Sequence, residues 1–146
     1  MSFIEDTRSH IYDVKDSLEK IAYKIGQRGR CHDLSKLYSE ELEVFEKVLD
    51  GKQTTKYGTP EYDEVRKQLA PALEHHYREN RHHPEHFPNG IEGMNLIDLI
   101  EMLADWKAAT KRHKDDDILK SIEINTRKYN INGQLKQILL NTIEEL

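Results

Sequence analysis

The sequence predicts an all-α protein, a single-domain bundle of about six helices, and two observations support this prediction. The 146 residues are 36% hydrophobic and 34% charged, with only seven glycines and four prolines, a balance that favours a soluble and mostly helical chain. Apolar residues also recur every three or four positions through most of the chain, as one face of a helix requires. We see no internal repeat and no domain boundary, so one domain over residues 1–146 is expected.

Charge, cysteine content and hydropathy exclude several function classes. The net charge is −5 and no basic stripe dominates any segment, which argues against general nucleic-acid binding. The single cysteine, Cys31, cannot form an internal disulfide and indicates a reducing compartment. The first ten residues do not resemble a signal peptide, and no run of apolar residues approaches a membrane span. We therefore expect a cytoplasmic protein with no membrane partner.

The first predicted helix runs from about residue 4 to residue 27 and ends at Gly26 and Gly29. Its apolar residues form one stripe, and His10 borders that stripe. A second, short helix is expected to start at His32 and Asp33.

The middle of the chain predicts two further helices. Ser39 is a plausible cap for the first of them. A polar surface loop is expected over residues 51–60, and Thr59 followed by proline is a good start for a helix over 60–80. Pro71 falls inside that helix and is expected to kink it.

The segment that begins at Asn95 is apolar around nearly its whole circumference, which is typical of a central, buried helix. Asp98, Glu101 and Asp105 share one face of it. Burying an unpaired carboxylate is costly, so these side chains need partners. A divalent cation with histidine co-ligands is the partner we expect.

Five of the eight histidines lie in one stretch over residues 75–87, HHYRENRHHPEHF: His75, His76, His82, His83 and His86. Histidine is the commonest side chain for binding a transition metal near neutral pH. His76 continues the buried stripe of its helix, whereas His75 points about 100° away from it. His82 and His83 come at or just past the helix end. These residues, with Asp33 upstream and Asp105 downstream, predict a metal site built from several helices.

In order, these residues resemble the HD-domain superfamily of metal-dependent phosphohydrolases: a helical His, a His-Asp doublet, further His residues and a late Asp. The strings HDLSKL, HHYRENRHHPEHF and DLIEMLADWKAA are similar to small HD-like proteins common in bacteriophages and their bacterial hosts. The resemblance covers about residues 7–113, a metal-site core, and extends to a helical pair at about 117–146. It implies an HD-domain-like bundle that works in a bacterial cell or a phage-infected host.

The resemblance also implies a set of ligands. One metal would be held by four residues: His10, His32, Asp33 and Asp105. A second metal would be held by His76 and either His82 or His83, with Asp33 bridging the two ions. The surplus of histidines leaves open which of them bind, and whether one or two divalent ions are held. Mn, Co, Fe, Zn, Ni and Mg are not distinguished.

The implied activity is hydrolysis of a small phosphate ester, with a nucleotide as the favoured substrate and metal-bound water as the nucleophile. Lys36, one helical turn after His32, is a candidate phosphate contact. Glu79 or Glu101 is a candidate acid/base or a residue that supports a ligand. Arg78, Arg81 and Lys107 are further phosphate candidates.

Two other function classes stay open, and so does a homo-oligomer. A minority of HD-like proteins hold two irons and activate oxygen, so a di-iron oxygenase is one alternative. The other is a non-catalytic binding module, in which a metal only stabilises the bundle. Open coordination positions would argue against the module, and a closed tetrahedral site would support it.

Overall fold

The computed structural model describes residues 2–50, 59–111 and 117–146. Within these ranges the chain forms helices and no strand, which confirms the all-α class with seven α-helices where about six were predicted. The helices are α1 (Phe3–Cys31), α2 (Ser39–Leu49), α3 (Pro60–Gln68), α4 (Ala70–Glu79), α5 (Leu96–Thr110), α6 (Ile118–Lys128) and α7 (Gly133–Thr142). Short 3₁₀ turns span Leu34–Leu37, Pro84–His86, Gly90–Gly93 and Ile143–Glu145. The predicted loop lies outside the described residues over 51–58.

Helix α1 has 29 residues and continues through both glycines at which we expected it to end. Its start is fixed by a capping box, in which the Ser2 hydroxyl accepts from the Glu5 amide and the Glu5 carboxylate accepts from the Ser2 amide. Its last turns are held against α5 by Arg28 and His32, whose side chains contact carboxylates on that helix. These long-range contacts outweigh the weak helix preference of glycine.

The predicted helix over 60–80 is divided in two at Leu69. Pro71 lies in the first turn of α4, where its missing N–H costs no intrahelical bond. The helix is therefore interrupted just before it. Thr59 caps α3 as predicted, since its hydroxyl accepts from the Tyr62 amide at 3.3 Å. Ser39, the expected cap of α2, is instead that helix's first residue.

The main apolar core lies between α5, α6 and α7. It is formed by Leu103, Ile122, Ile131 and Leu139. Helix α5 packs against α6 on this side and against α1 on another, and of its large apolar residues only Leu96, at its start, is exposed, at 74%. None of the described helices is long and apolar enough to span a membrane.

Candidate metal centre

Six of the seven predicted metal ligands meet where the end of α1, the 3₁₀ turn after it, the end of α4 and the middle of α5 come together. They form two groups that share His82: Asp33, His76, His82 and His83, and His32, His82 and Asp105. In each group the potential ligand atoms lie within 4.8 Å of one another. His32 and Asp105 are 73 positions apart in the chain, so tertiary packing builds the cluster.

Asp33 belongs to the first group, and its second carboxylate oxygen faces His32 of the other group. Its Oδ1 is 3.2 Å from His76 Nε2 and 3.4 Å from His82 Nε2, and its Oδ2 is 3.7 Å from His32 Nε2. The His76 and His83 Nε2 atoms approach to 2.9 Å. The imidazole Nε2 atoms therefore point at a common centre, and the Asp33 carboxylate could contact ions on both sides of it.

The local backbone explains the positions of Asp33 and of the segment with His82 and His83. Asp33 has a φ of 56°, in the left-handed region that Asp tolerates better than most residues. This turns the chain sharply out of α1, and the Lys36 amide then donates to the Asp33 carbonyl at 2.9 Å to start the 3₁₀ turn. After α4 the chain leaves the helix at Asn80, whose backbone is extended, so His82 and His83 lie in the irregular segment before Pro84.

A layer of carboxylates behind the ligands orients the rings. Glu101 Oε1 accepts from Nδ1 of His32 at 3.0 Å and of His82 at 3.1 Å. Glu41, which is fully buried, accepts from Nδ1 of His76 at 3.0 Å and of His75 at 2.6 Å. A histidine that donates from Nδ1 keeps the Nε2 lone pair for a metal, the arrangement seen around metal-binding histidines.

Arginines fasten this layer to the rest of the molecule. Asp98 is 0% exposed and accepts from Arg28 at 2.8 Å and from Arg81 at 2.9 Å. Arg28 also donates to Glu101 at 2.9 Å. The expectation that a cation is the partner of Asp98 is therefore wrong, since two guanidinium groups take that place. Arg81, a phosphate candidate, is engaged in the same ion pair.

The surroundings set the charge of the cluster. Burial raises the pKa of Asp33, but the nearby imidazoles of His76 and His82 and the Lys36 ammonium outweigh it and hold that pKa well below its usual range. The carboxylates of Asp105 and Glu101 raise the pKa of His32 to about 10. Burial, with the charges of His82 and His76, lowers the pKa of His83 to about 3. At neutral pH the Asp33 carboxylate is therefore ionised and His83 is neutral, the forms that bind metals, and a metal at His32 would replace its proton.

Two buried atoms at the centre favour a bound cation. Asp33 Oδ1 and His82 Nε2 make no hydrogen bond among the described residues, and buried polar atoms normally have a partner. A cation would satisfy both atoms at once. The donor set of imidazole nitrogens and carboxylate oxygens fits Mn, Fe, Co, Ni or Zn better than Mg, which prefers oxygen ligands.

The centre is closed on one side and accessible on the other. The His76 and His82 side chains are each 1% exposed, whereas those of His32, Asp33 and Asp105 are 27%, 22% and 28% exposed. A metal held here would keep a side that solvent or a ligand can reach.

An apolar groove of about 280 Å³ adjoins this accessible side, between α1 and α5. His32 and Asp105 line it, and its apolar walls include Ile25, Ile97 and Ile100. The groove and the metal cluster therefore share two residues.

His10 is the predicted ligand that the structure does not bring to the centre. It is exposed on α1, 22 residues before His32 along one continuous helix. At 1.5 Å per residue the two lie about 33 Å apart. The prediction that they share a metal is therefore wrong within one chain, because no turn folds the start of α1 back onto its end.

The three predicted catalytic residues lie at different distances from the centre. Lys36 lies at the edge of the centre, with Nζ 2.5 Å from Asp33 Oδ2. Glu101 orients two histidines. Glu79 does not reach the centre, since its side chain is 51% exposed and contacts Arg78; it lies on the outer face of the last turn of α4.

Two residues were missed by the sequence reasoning. Glu41 and Arg28 look like ordinary charged residues in the first turn of one helix and the last turn of another. Only their long-range contacts distinguish them, so the local pattern held no signal for either.

No curated protein and no solved structure matches the chain. Residues 1–145 match the family described as "Family of unknown function (DUF5662)". The chain therefore belongs to the DUF5662 family.

Proposed function

We propose that this protein is a metal-dependent phosphohydrolase that acts on a small phosphate ester, with a nucleotide as the favoured substrate class. The observation that carries the proposal is the partly accessible cluster, in which two groups of ligand atoms share His82. Structural metal sites are closed, whereas catalytic sites keep an accessible position. The resemblance to HD-domain phosphohydrolases supports the same conclusion.

Each side chain of the centre has a role in this proposal. Asp33, His76, His82 and His83 would hold one ion, and His32 and Asp105 would complete a second position beside it. When bound, the ions would supply a nucleophilic water of lowered pKa and neutralise charge on the phosphoryl oxygens. Glu101 and Glu41 keep the imidazole rings in position for this.

Lys36 and the groove would bind the substrate. The Lys36 ammonium at the edge of the centre can move from Asp33 to a phosphate oxygen, as a flexible point charge does. Since His32 and Asp105 line the groove, a phosphate held at the centre would leave the organic part of the ester in it. The apolar walls suit the face of a nucleobase or another ring.

The first experiment is metal analysis by mass spectrometry on protein purified without an affinity tag. Wild type is expected to hold one or two metal ions per chain, and Asp105→Ala to lose metal. Asp63→Ala, at an exposed position on α3, is the matched control and should keep the wild-type content. Metal-loaded wild type should then hydrolyse nucleotides, and Asp105→Ala should not. No metal in wild type, and no uptake of Mn, Co or Zn, would refute the proposal.

The cluster also favours one second candidate, a di-iron oxygenase. Four imidazoles and two carboxylates around two adjacent positions form a donor set that iron accepts. Stoichiometric iron together with an oxygen-dependent colour change, and no phosphatase activity, would select this candidate.

A further inference from the structure

The start of α1 is an uncovered helical arm, which we define as residues 2–24. Every residue of the arm is exposed except Asp16, which is half-buried. Its apolar side chains line one face at heptad spacing: Ile4 (61% exposed), Ile11 (60%), Val14 (43%), Leu18 (61%) and Ile21 (45%). An apolar stripe of this length on a helix is typical of a face that packs against another helix.

The same face meets α5 at the other end of α1. Ile25, Arg28 and His32 continue the heptad positions of Leu18 and Ile21, and all three line the groove against α5. Helix α5 therefore covers the last part of one continuous face. The arm carries the remainder of that face beyond the start of α5, where no described residue covers it.

We propose that the arm binds the arm of a second copy of this chain in antiparallel orientation. A parallel second α1 on this face would continue into the space that α5 occupies. An antiparallel one ends there, because its first residues come opposite Ile21. This pairs Ile4 with Ile21 of the partner subunit and Ile11 with Val14 of the partner subunit, while Leu18 meets Thr7 of the partner subunit.

The size of the contact agrees with a reversible dimer. The face from Ile4 to Ile21 is about 25 Å long, and half of a helix surface over that length is on the order of 450 Å² per copy. The total of about 900 Å² is just below the ~1,000 Å² lower bound for a stable specific interface, in the range of weak and transient ones. The exposed ring of Phe3 would add to it by packing near Leu96 of the partner subunit, which is also exposed.

Charge favours a protein partner over a lipid surface. The arm carries five acidic and four basic residues. Helices that lie on membranes carry a polar face rich in Lys and Arg. The arm's nearly balanced charge suits a helix that packs against another protein.

The antiparallel pairing has one unfavourable contact that makes it testable. Arg8 and Lys15 border the apolar face on the same side, so Arg8 would lie near Lys15 of the partner subunit. Lys15→Glu would turn this repulsion into attraction and tighten the dimer several-fold. Lys20→Glu makes the same charge change on the opposite face of the helix and should leave the dimer unchanged.

Sedimentation equilibrium from micromolar to about 0.1 millimolar protein tests the proposal. Wild type should be in monomer–dimer equilibrium, and Ile11→Glu should be monomeric. Ile11 is exposed in the single chain, so this variant should fold, as a circular dichroism melt would verify. Tyr12→Glu, on the far side of the arm, should dimerise like wild type. A monomeric wild type throughout this range, or a dimer that Ile11→Glu does not weaken, would overturn the proposal.

Disulfide cross-linking tests the orientation. In a Cys31→Ser background, chains with Ile4→Cys are mixed with chains with Ile21→Cys and oxidised. A link between the two different variants supports the antiparallel pairing. A link between two Ile4→Cys chains would overturn it, since these positions would be about 25 Å apart in the antiparallel pair.

Discussion

Replacing Glu101 by Gln should weaken metal binding although Glu101 is not itself among the grouped ligands. Glu101 accepts from Nδ1 of His32 and His82 and from Arg28. A Gln side chain has the same shape but must direct its NH₂ group at one side or the other. It then faces either the two imidazole N–H groups or the guanidinium, so at least one hydrogen bond to a charged group is lost.

That loss sets the expected magnitude. A hydrogen bond to a charged group contributes about 1.5–3 kcal/mol, and every 1.4 kcal/mol is about tenfold in a binding constant. We expect affinity for Co²⁺ or Mn²⁺ to fall about 10- to 100-fold, the range typical of residues that orient metal ligands. Glu79→Gln makes the same chemical change at an exposed site and should have wild-type affinity.

The assay is titration of metal-free protein with Co²⁺ against a competing chelator, together with thermal melts of the metal-free variants. The melts separate loss of metal affinity from loss of folding. If Glu101→Gln binds Co²⁺ as tightly as Glu79→Gln while Asp105→Ala does not bind it, the orienting role of Glu101 is refuted.

Three further predictions follow from the structure. Asp98→Asn should lower the free energy of unfolding by about 1.5–3 kcal/mol at pH 7, since it weakens hydrogen bonds to two arginines that are themselves partly exposed. The pKa of Asp98 is lowered despite its burial, so this contribution is lost as the pH falls from about 4 through the folded-state pKa. Urea titrations of the two proteins should converge there. Gly93→Ala should destabilise the protein by about 1–3 kcal/mol, because the added Cβ would lie 2.7 Å from Phe87 Cβ. Gly29→Ala places its Cβ where no atom lies within 4 Å, so it should stabilise α1 by about 0.5–1 kcal/mol. Urea denaturation measures both changes. His10→Ala should keep the wild-type metal content by mass spectrometry, and loss of metal would contradict the position of His10 far from the centre.

Predictions from the sequence were correct where a local pattern decides the structure. Helical periodicity placed His76 on the buried side of its helix, and the structure leaves it 1% exposed. Patterns could not show which distant residues meet: Arg28 and Glu101 are 73 positions apart, and Glu41 and His76 are 35 apart. Contacts at that separation depend on how the helices pack together.

The error at His10 has the same physical origin. The ligand role that the resemblance implies for His10 requires this part of α1 to be covered by the rest of the chain, yet its apolar stripe is uncovered within one chain. Periodicity shows that a helix has an apolar face, and it does not show whether the same chain covers that face. For α1 we infer that a second chain does so.

The α1 face changes from apolar to polar along its length, and this change separates the proposed dimer contact from the contacts that support the metal centre. The face is apolar through Ile21 and becomes polar at Arg28 and His32, which contact the carboxylates of α5. Ile11 lies 21 residues before His32, about 30 Å along the helix axis. A charge introduced at Ile11 should therefore dissociate the dimer without loosening the contacts of Arg28. Ile11→Glu is expected to keep wild-type metal affinity in the Co²⁺ titration, and a large loss of affinity in this variant would show that the metal centre depends on the dimer.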